Sequence, residues 1–344
     1  MSDWRNGKPV HFGLVGCGAV SSKFTEAFLR LPEAKLVAAA DVVPAAAERV
    51  AGPFGARAYT DYRRLLEDPA VEAVIIATPS GLHARMAREA LEAGKHVLVE
   101  KPLALSAQDA REVLRLAEAE GLCVGTVHPN RYYPTSRMVY EAVRSGRLGR
   151  LSHGVAAVRW NRNTAYYEDA PWRKDRGMDG GVLLNPAWHA LDLLLWFMGP
   201  AVEACGMYAT RIHDIEADDV VVASLRFESG ALGVVEATTN VYPRNLEETI
   251  SIFGESGTIV LGGSRIDALR VWRMEGEEED RVLAQWGERT APPHERWWAH
   301  GQVLRSFVEQ IREGRPLGTN AEDAVLVLAT AEAILSDAER REAR

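Results

Sequence analysis

Cysteine is scarce in this chain. The three present, Cys17, Cys123 and Cys205, are odd in number, far apart, and never in a CxxC pair. That pattern excludes a disulfide framework and a cysteine-built zinc site, and it fits a reducing cytoplasm. An excess of basic charge is missing too: 40 Lys and Arg stand against 48 Asp and Glu, a net −8. The acidic balance counts against nucleic acid as a partner and gives no reason to expect a membrane surface. Apolar runs such as Leu193 to Met198 are far too short to span a bilayer. The stretch Met1 to Lys8 lacks the apolar core of a signal peptide. No internal repeat or low-complexity tract appears. The 344 residues are 47% hydrophobic, enough for a large core and for two domains.

What is present is organised around one stretch. Apolar residues from His11 lead into Gly16 and Gly18, and a helical pattern runs from Val20 to Leu31. Strand, tight turn, helix is the frame of a dinucleotide site. Gly16 would let the chain turn, and Gly18 would let a pyrophosphate approach the backbone. The helix starting near Ala19 and Val20 would turn free N–H groups and a positive dipole end toward it. Ser21 stands where a third glycine is usual. Two glycines in a turn are common, so a plain turn stays open at this point. A second apolar run, Lys35 to Asp41, ends in an acid 25 residues after Gly16. An acid at that place accepts from ribose hydroxyls and repels a 2′-phosphate, which favours NAD over NADP.

Strand and helix patterns then alternate through residue 127. Helices are expected at Pro44 to Ala51, Asp61 to Glu67 (capped by Thr60), His83 to Ala93 and Ala107 to Glu120 (capped by Ser106). Strands are expected at Val71 to Ala77, Lys95 to Glu100 and Leu122 to Val127. This predicts an α/β domain with a doubly wound parallel sheet over 1–128. Its mouth would hold Gly16, Asp41, Thr78, Glu100, Lys101 and His128, at the carboxyl ends of the strands. Past residue 130 the pattern becomes longer strands, with a two-residue hairpin at Ser229-Gly230. Helices are expected at Pro134 to Ser145, Pro186 to Met198, Trp297 to Glu313 and Ala321 to Glu339. The second domain, 129–344, reads as α+β with a mainly antiparallel sheet.

Three groups of residues could carry chemistry. Lys101, between Glu100 and Pro102, sits at the mouth of the parallel sheet. Burial there would make its ammonium usable as an acid or base. Asn185, His189 and Asp192 are four and three apart, so one apolar helix would carry them as a polar stripe. His189 suits proton exchange with a hydroxyl, or it is a satisfied core histidine. A metal is not supported, because no second His or Cys is near. The stretch Arg159 to Arg176 has five basic residues and three acids in an acidic chain. With Arg162, Tyr166, Tyr167, Trp172 and Arg173, and Asn130, Arg131 upstream, it fits either an anionic ligand or a subunit contact.

Taken jointly, Gly-Cys-Gly18, Thr78-Pro79 with His83, Glu100-Lys101-Pro102, and Gly180-Gly181 with His189 and Asp192 resemble the glucose–fructose oxidoreductase, inositol dehydrogenase and rhizopine-catabolism (Gfo/Idh/MocA) family. The resemblance spans nearly the whole chain. It implies a Rossmann domain followed by a domain with a large open antiparallel sheet. It also implies NAD as cofactor, oxidation of a sugar or cyclitol hydroxyl, and Lys101 with His189 as the catalytic pair. Cofactor contacts would come from Gly16, Gly18, Ala19, Val20, Asp41, Thr78, Pro79, His83, Glu100, Lys101, Trp172 and Arg173. Many members carry Asp where this chain has Asn185, so Lys101 shares or takes the role of base. The Asn130-Arg131, Trp160 to Asn163, Tyr166-Tyr167 and Trp172-Arg173 segments look like the nucleotide-sugar branch. That likeness implies an anionic substrate, a UDP-linked N-acetylhexosaminuronic acid oxidised at its 3-hydroxyl. Asn130, Arg131, Arg159, Arg162, Tyr166, Tyr167, Asn185 and His189 would hold it. A free sugar or cyclitol is the alternative substrate, and a non-catalytic dinucleotide sensor the alternative class. A cytoplasmic homodimer or homotetramer is expected.

Overall fold

Val10, Phe12, Leu14 and Val15 are all buried, so the strand they form lies inside a layered fold rather than on a wetted sheet. The computed structural model describes residues 8–263, 266–286, 297–314 and 321–342. The stretch Met1 to Lys8, read above for targeting, lies outside them except for Lys8. The chain forms two compact units, Met1–Pro129 with His294–Ala324, and Asn130–Pro293 with Val325–Arg344. The boundary near 128 is thus joined by a later return: part of the segment expected in the second domain belongs with the first unit.

The first unit contains β1 (Val10–Val15), α1 (Ser21–Phe28), β2 (Ala34–Ala40), α2 (Pro44–Ala51), β3 (Arg57–Tyr59), α3 (Tyr62–Leu66), β4 (Ala73–Ile76), α4 (His83–Glu92), β5 (His96–Val99), α5 (Ala107–Glu120) and β6 (Val124–Thr126). The sheet order is β3-β2-β1-β4-β5-β6, and every pairing is parallel. Order reverses between β1 and β4, which opens a crevice beyond their carboxyl ends. Ser106 caps α5 by accepting from Asp109 N–H. α3 is capped by Asp61, which accepts from Arg63 N–H; Thr60 had been expected there. The short β3 escaped the sequence pattern, because two of its three residues are exposed. The helix Trp298–Glu313 brings Phe307 to 6.4 Å from Phe12 and His300 to 5.5 Å from Phe24, between ring centroids. Burying each such Phe contributes about 1.5–3 kcal/mol.

The second unit carries α6 (Pro134–Arg144), β7 (Leu151–Arg159), α7 (Thr164–Glu168), α8 (Arg176–Asp179), α9 (Gly181–Leu184), α10 (Trp188–Met198), β8 (Ala201–Ala209), β9 (Val220–Phe227), β10 (Leu232–Thr238), β11 (Glu247–Gly254), β12 (Gly257–Gly262) and β13 (Ala268–Met274). Seven strands run β13-β12-β11-β7-β10-β9-β8, antiparallel except for the parallel pair β7 and β10. α10 packs Leu194 and Met198 onto Gly154 of β7, where a side chain would have no room. The β9–β10 connection closes with Phe227 N–H donating to the Ala231 carbonyl. It is therefore a three-residue loop, Glu228 to Gly230, one longer than expected. Among the described residues no helix is long and apolar enough to cross a membrane.

Candidate active site

Gly16 follows β1 with φ +93°, and a Cβ there would lie 2.5 Å from the Ala77 carbonyl oxygen. Only glycine fits that crossing of two strand ends. At Gly18 an added Cβ would meet nothing within 4 Å, so the chain is open to a ligand at that point. Ser21 turns its hydroxyl back onto the Gly18 carbonyl at 2.6 Å, which explains how serine replaces the third glycine. The N–H groups of Gly18, Ala19 and Val20 have no protein acceptor among the described residues. Asp41, just past β2, accepts from Cys17 N–H at 2.8 Å and from Val43 N–H at 2.9 Å. Its carboxylate is fixed by the turn and keeps lone pairs for ribose hydroxyls. Arg49 donates to the Cys17 carbonyl at 2.7 Å, so a guanidinium already has work at this turn. Burial, then Asp41, pushes the Cys17 thiol up to about 12, which keeps it inert. The glycine cradle, the bare N–H groups and the placed acid fit a dinucleotide without a 2′-phosphate.

Lys101 follows Glu100 at the end of β5, and the Lys101–Pro102 peptide is cis. Glu100 N–H donates to the Ile76 carbonyl at 2.8 Å. Burial opposes charge on Glu100, but His300, Lys23 and Lys101 outweigh it and bring the carboxyl down to about 2. His300 Nε2 lies 3.3 Å from Glu100 Oε1. His83, expected among the cofactor contacts, is 1% exposed, with Nδ1 2.7 Å from the Pro102 carbonyl and Nε2 2.8 Å from the Thr78 carbonyl. It clamps the Thr78-Pro79 turn to the Lys101-Pro102 turn. Burial, its largest influence, holds its pKa below the ordinary value. Gly16, Asp41, Thr78, Glu100 and Lys101 thus share the carboxyl edge of one sheet, with fully buried His128 beyond β6.

In the second unit, α10 is buried along its length except at His189 and Trp196. An imidazole is the one polar side chain this apolar helix leaves part-exposed. The expected stripe is broken in two ways. Asn185 ends α9 and lies outside α10, with its Nδ2 donating to Asp179 Oδ1. Asp192 pairs with Arg131, whose Nε and Nη2 reach its two oxygens at 3.0 and 2.5 Å. Both side chains are nearly sealed, at 4% and 1% exposure. Arg131 and Asp192 thus form a buried ion pair that ties the segment after β6 to α10. Asn130 is buried beside Arg131. Arg159 is also ion-paired: its guanidinium meets Glu236 and Glu247.

The remaining basic residues behave differently. Arg162 lies over the Trp160 ring at 4.5 Å and the Tyr166 ring at 4.8 Å; Arg173 lies over Tyr166 at 4.0 Å and Trp172 at 5.5 Å. Cation and aromatic alternate along this row. Neither guanidinium has a carboxylate partner among the described residues. Tyr167 is buried, its hydroxyl 3.3 Å from Thr239 Oγ1.

The sequence reading missed His300, Asp179, Asp218 and Asp219. Asp218 accepts from Val182 N–H and seats α9, and burial raises its pKa. The tandem Asp218-Asp219 before a strand was the available signal, since adjacent strand residues face opposite ways. Among the described residues no cluster of three His, Cys, Asp or Glu could hold a metal.

Two family models match: an oxidoreductase family with an NAD-binding Rossmann fold over residues 10–128, and the GFO/IDH/MocA C-terminal domain over 136–260. The WlbA dehydrogenase from Bordetella pertussis, solved with NADH and UDP-GlcNAcA, is 32% identical, with 96% of each chain covered and a TM-score of 0.88. The dTDP-3,4-didehydro-2,6-dideoxy-alpha-D-glucose 3-reductase of Saccharopolyspora spinosa is 37% identical, over 74% of this chain and 75% of that protein. The myo-inositol 2-dehydrogenase of Thermotoga maritima is 26% identical, covering 93% of each. With family models matching both of its halves and a solved relative of the same fold, the chain belongs to the Gfo/Idh/MocA family of NAD-dependent oxidoreductases.

Proposed function

We propose that this dehydrogenase oxidises the 3-hydroxyl of a UDP-linked N-acetylhexosaminuronic acid, UDP-GlcNAcA, to the 3-keto sugar. The observation that carries this reading is the row Trp160, Arg162, Tyr166, Arg173, Trp172, whose guanidinium groups have no internal carboxylate. Cations left without an acid suit an anionic substrate, and the flanking rings suit a base or a sugar face. Likeness to a dehydrogenase solved with that sugar nucleotide supports it.

Bound NAD supplies the hydride acceptor for the carbinol carbon. The chain's own part is the proton. We assign its removal from the hydroxyl oxygen to Lys101 Nζ and the His189 imidazole, one as base and the other orienting the oxygen. Glu100 and the His83 clamp fix the turn that presents Lys101. Asp179 orients Asn185, so an acid missing at position 185 is supplied six residues earlier. Asn185 and Tyr166 would then position the sugar. Arg173 and Trp172 would cover the cofactor.

The test is NAD reduction on mixing with UDP-GlcNAcA, set against myo-inositol and free glucose. Turnover of the nucleotide sugar alone supports the reading. Turnover of inositol alone sinks it and favours a cyclitol substrate, the second reading, which the Thermotoga maritima likeness supports.

We place the enzyme in the cytoplasm, in keeping with its three free cysteines. We also propose a homodimer or homotetramer joined through the seven-stranded sheet. Strand register sets Met207, Val222, Val234 and Leu232 on one face, each between 41% and 70% exposed. Val222→Glu should dissociate the assembly, as read by light scattering. An unchanged mass would exclude that face.

A further inference from the structure

Asp219, at the start of β9, is fully buried and organises three loops of the second unit. Its Oδ1 accepts from Arg211 N–H at 2.9 Å and from Asn240 Nδ2 at 2.9 Å. Its Oδ2 accepts from Ile212 N–H at 2.9 Å and His213 N–H at 3.0 Å, with His213 Nδ1 at 3.2 Å. His213 Nε2 reaches the Arg162 carbonyl at 2.7 Å. The loops at 160–163, 211–215 and 239–242 are thereby fixed by one carboxylate. They line a half-open cavity of about 500 Å³, within the size of small-ligand sites.

The lining is divided between groups already used and groups left over. Asn240 Nδ2 is spent on Asp219, and Asn161 Nδ2 donates to the Val241 carbonyl. Arg162 donates through Nη1 to the Asn161 carbonyl, while its buried Nε has no partner among the described residues. The Lys174 ammonium lines the same cavity and makes no ion pair or hydrogen bond among the described residues. Asp214 is the one exposed acid on the wall. Tyr242, 91% exposed, offers a bare ring at the rim. Two cations with no carboxylate partner among the described residues, beside an exposed aromatic face, suit a diphosphate that carries a flat base.

We infer that this cavity is the subsite for the nucleoside diphosphate end of the substrate, with Arg162 and Lys174 holding the phosphates and Tyr242 stacking on the base. The inference rests on the nucleotide-sugar reading and deepens it, because it assigns the moiety that does not react. Asp219 is a positioning residue, acting only through the loops it pins.

The experiment titrates UDP, uridine and inorganic phosphate into the NAD-loaded enzyme by calorimetry, for wild type, Arg162→Met and Lys174→Met. UDP should bind wild type better than uridine or phosphate. Each variant should weaken UDP about tenfold, the size of one charge-assisted hydrogen bond, with NAD affinity unchanged. KM for UDP-GlcNAcA should rise by the same factor, with kcat held. Arg162 also stacks on two rings, so a misfolded Arg162→Met leaves Lys174→Met, whose side chain has no structural bond, to decide. Equal UDP affinity in wild type and Lys174→Met would overturn the subsite, as would a loss confined to NAD. If UDP binding follows the variants but no UDP-sugar turns over, the subsite stands and the substrate reading fails.

Discussion

The dinucleotide edge of the first unit and the polar surface of the second are built by opposite means. At the first, the ligand-facing groups are mostly backbone: Gly16, Gly18 and bare N–H groups, with one acid beside them. At the second they are side chains that differ only in whether a partner has claimed them. Arg131 and Arg159 are claimed by Asp192, Glu236 and Glu247; Arg162 and Arg173 are not. A backbone site is written in local residues that must be small. A side-chain site is written in long-range pairing that no local window contains.

Lys101 is where this contrast should break most, because it is the side chain proposed to do chemistry on the backbone-built edge. Lys101→Met should lower kcat about 10²–10⁴-fold, the usual loss for a general acid or base, with NAD affinity close to wild type. Full activity in that variant would remove the assigned role. Arg131→Met is next. It removes the guanidinium paired with buried Asp192 and should cost about 3–5 kcal/mol of stability, read by denaturant melts. If it instead folds normally and only raises KM, Arg131 is a ligand contact after all.

The backbone half of the comparison is sharpened by one carbon. Gly18→Ala meets no protein atom within 4 Å, so its melting temperature should match wild type. Its methyl group would occupy the approach of the pyrophosphate and weaken NAD by about tenfold or more, on the order of 1.4 kcal/mol. Unchanged NAD affinity would mean that the phosphates pass elsewhere.

Most of the fold was legible because its signals are local. Apolar β4 reads as a strand covered on both faces, and Ser106 announces α5. The places of Gly16, Asp41 and Lys101 at strand ends were legible for the same reason, each standing at the end of an apolar run. The rest depended on distance along the chain. His300 is 200 residues from Glu100, and Asp192 is 61 from Arg131. The spacing Asn185, His189, Asp192 satisfied a helical period, yet a helix break at 185–187 separates the first from the others. Periodicity marks a shared face only if the helix continues, and Pro186 ends that assumption here.

A pH-dependent effect concerns the pairing of His300 with Glu100, a long-range contact that braces a locally legible edge. The folded carboxyl titrates near 2, below the ordinary Glu value of 4.5 in the unfolded chain. A depressed acid adds stability above its unfolded pKa and loses it as pH falls toward the folded one. Wild type should therefore outlast Glu100→Gln at neutral pH. The gap in melting temperature should narrow as pH drops through about 4.5 and close further toward 2. A gap that stayed constant over that range would mean the charge on Glu100 does no stabilising. His300 would then brace the edge by packing against Phe24 alone, and the side-chain logic of the second unit would have no counterpart in the first.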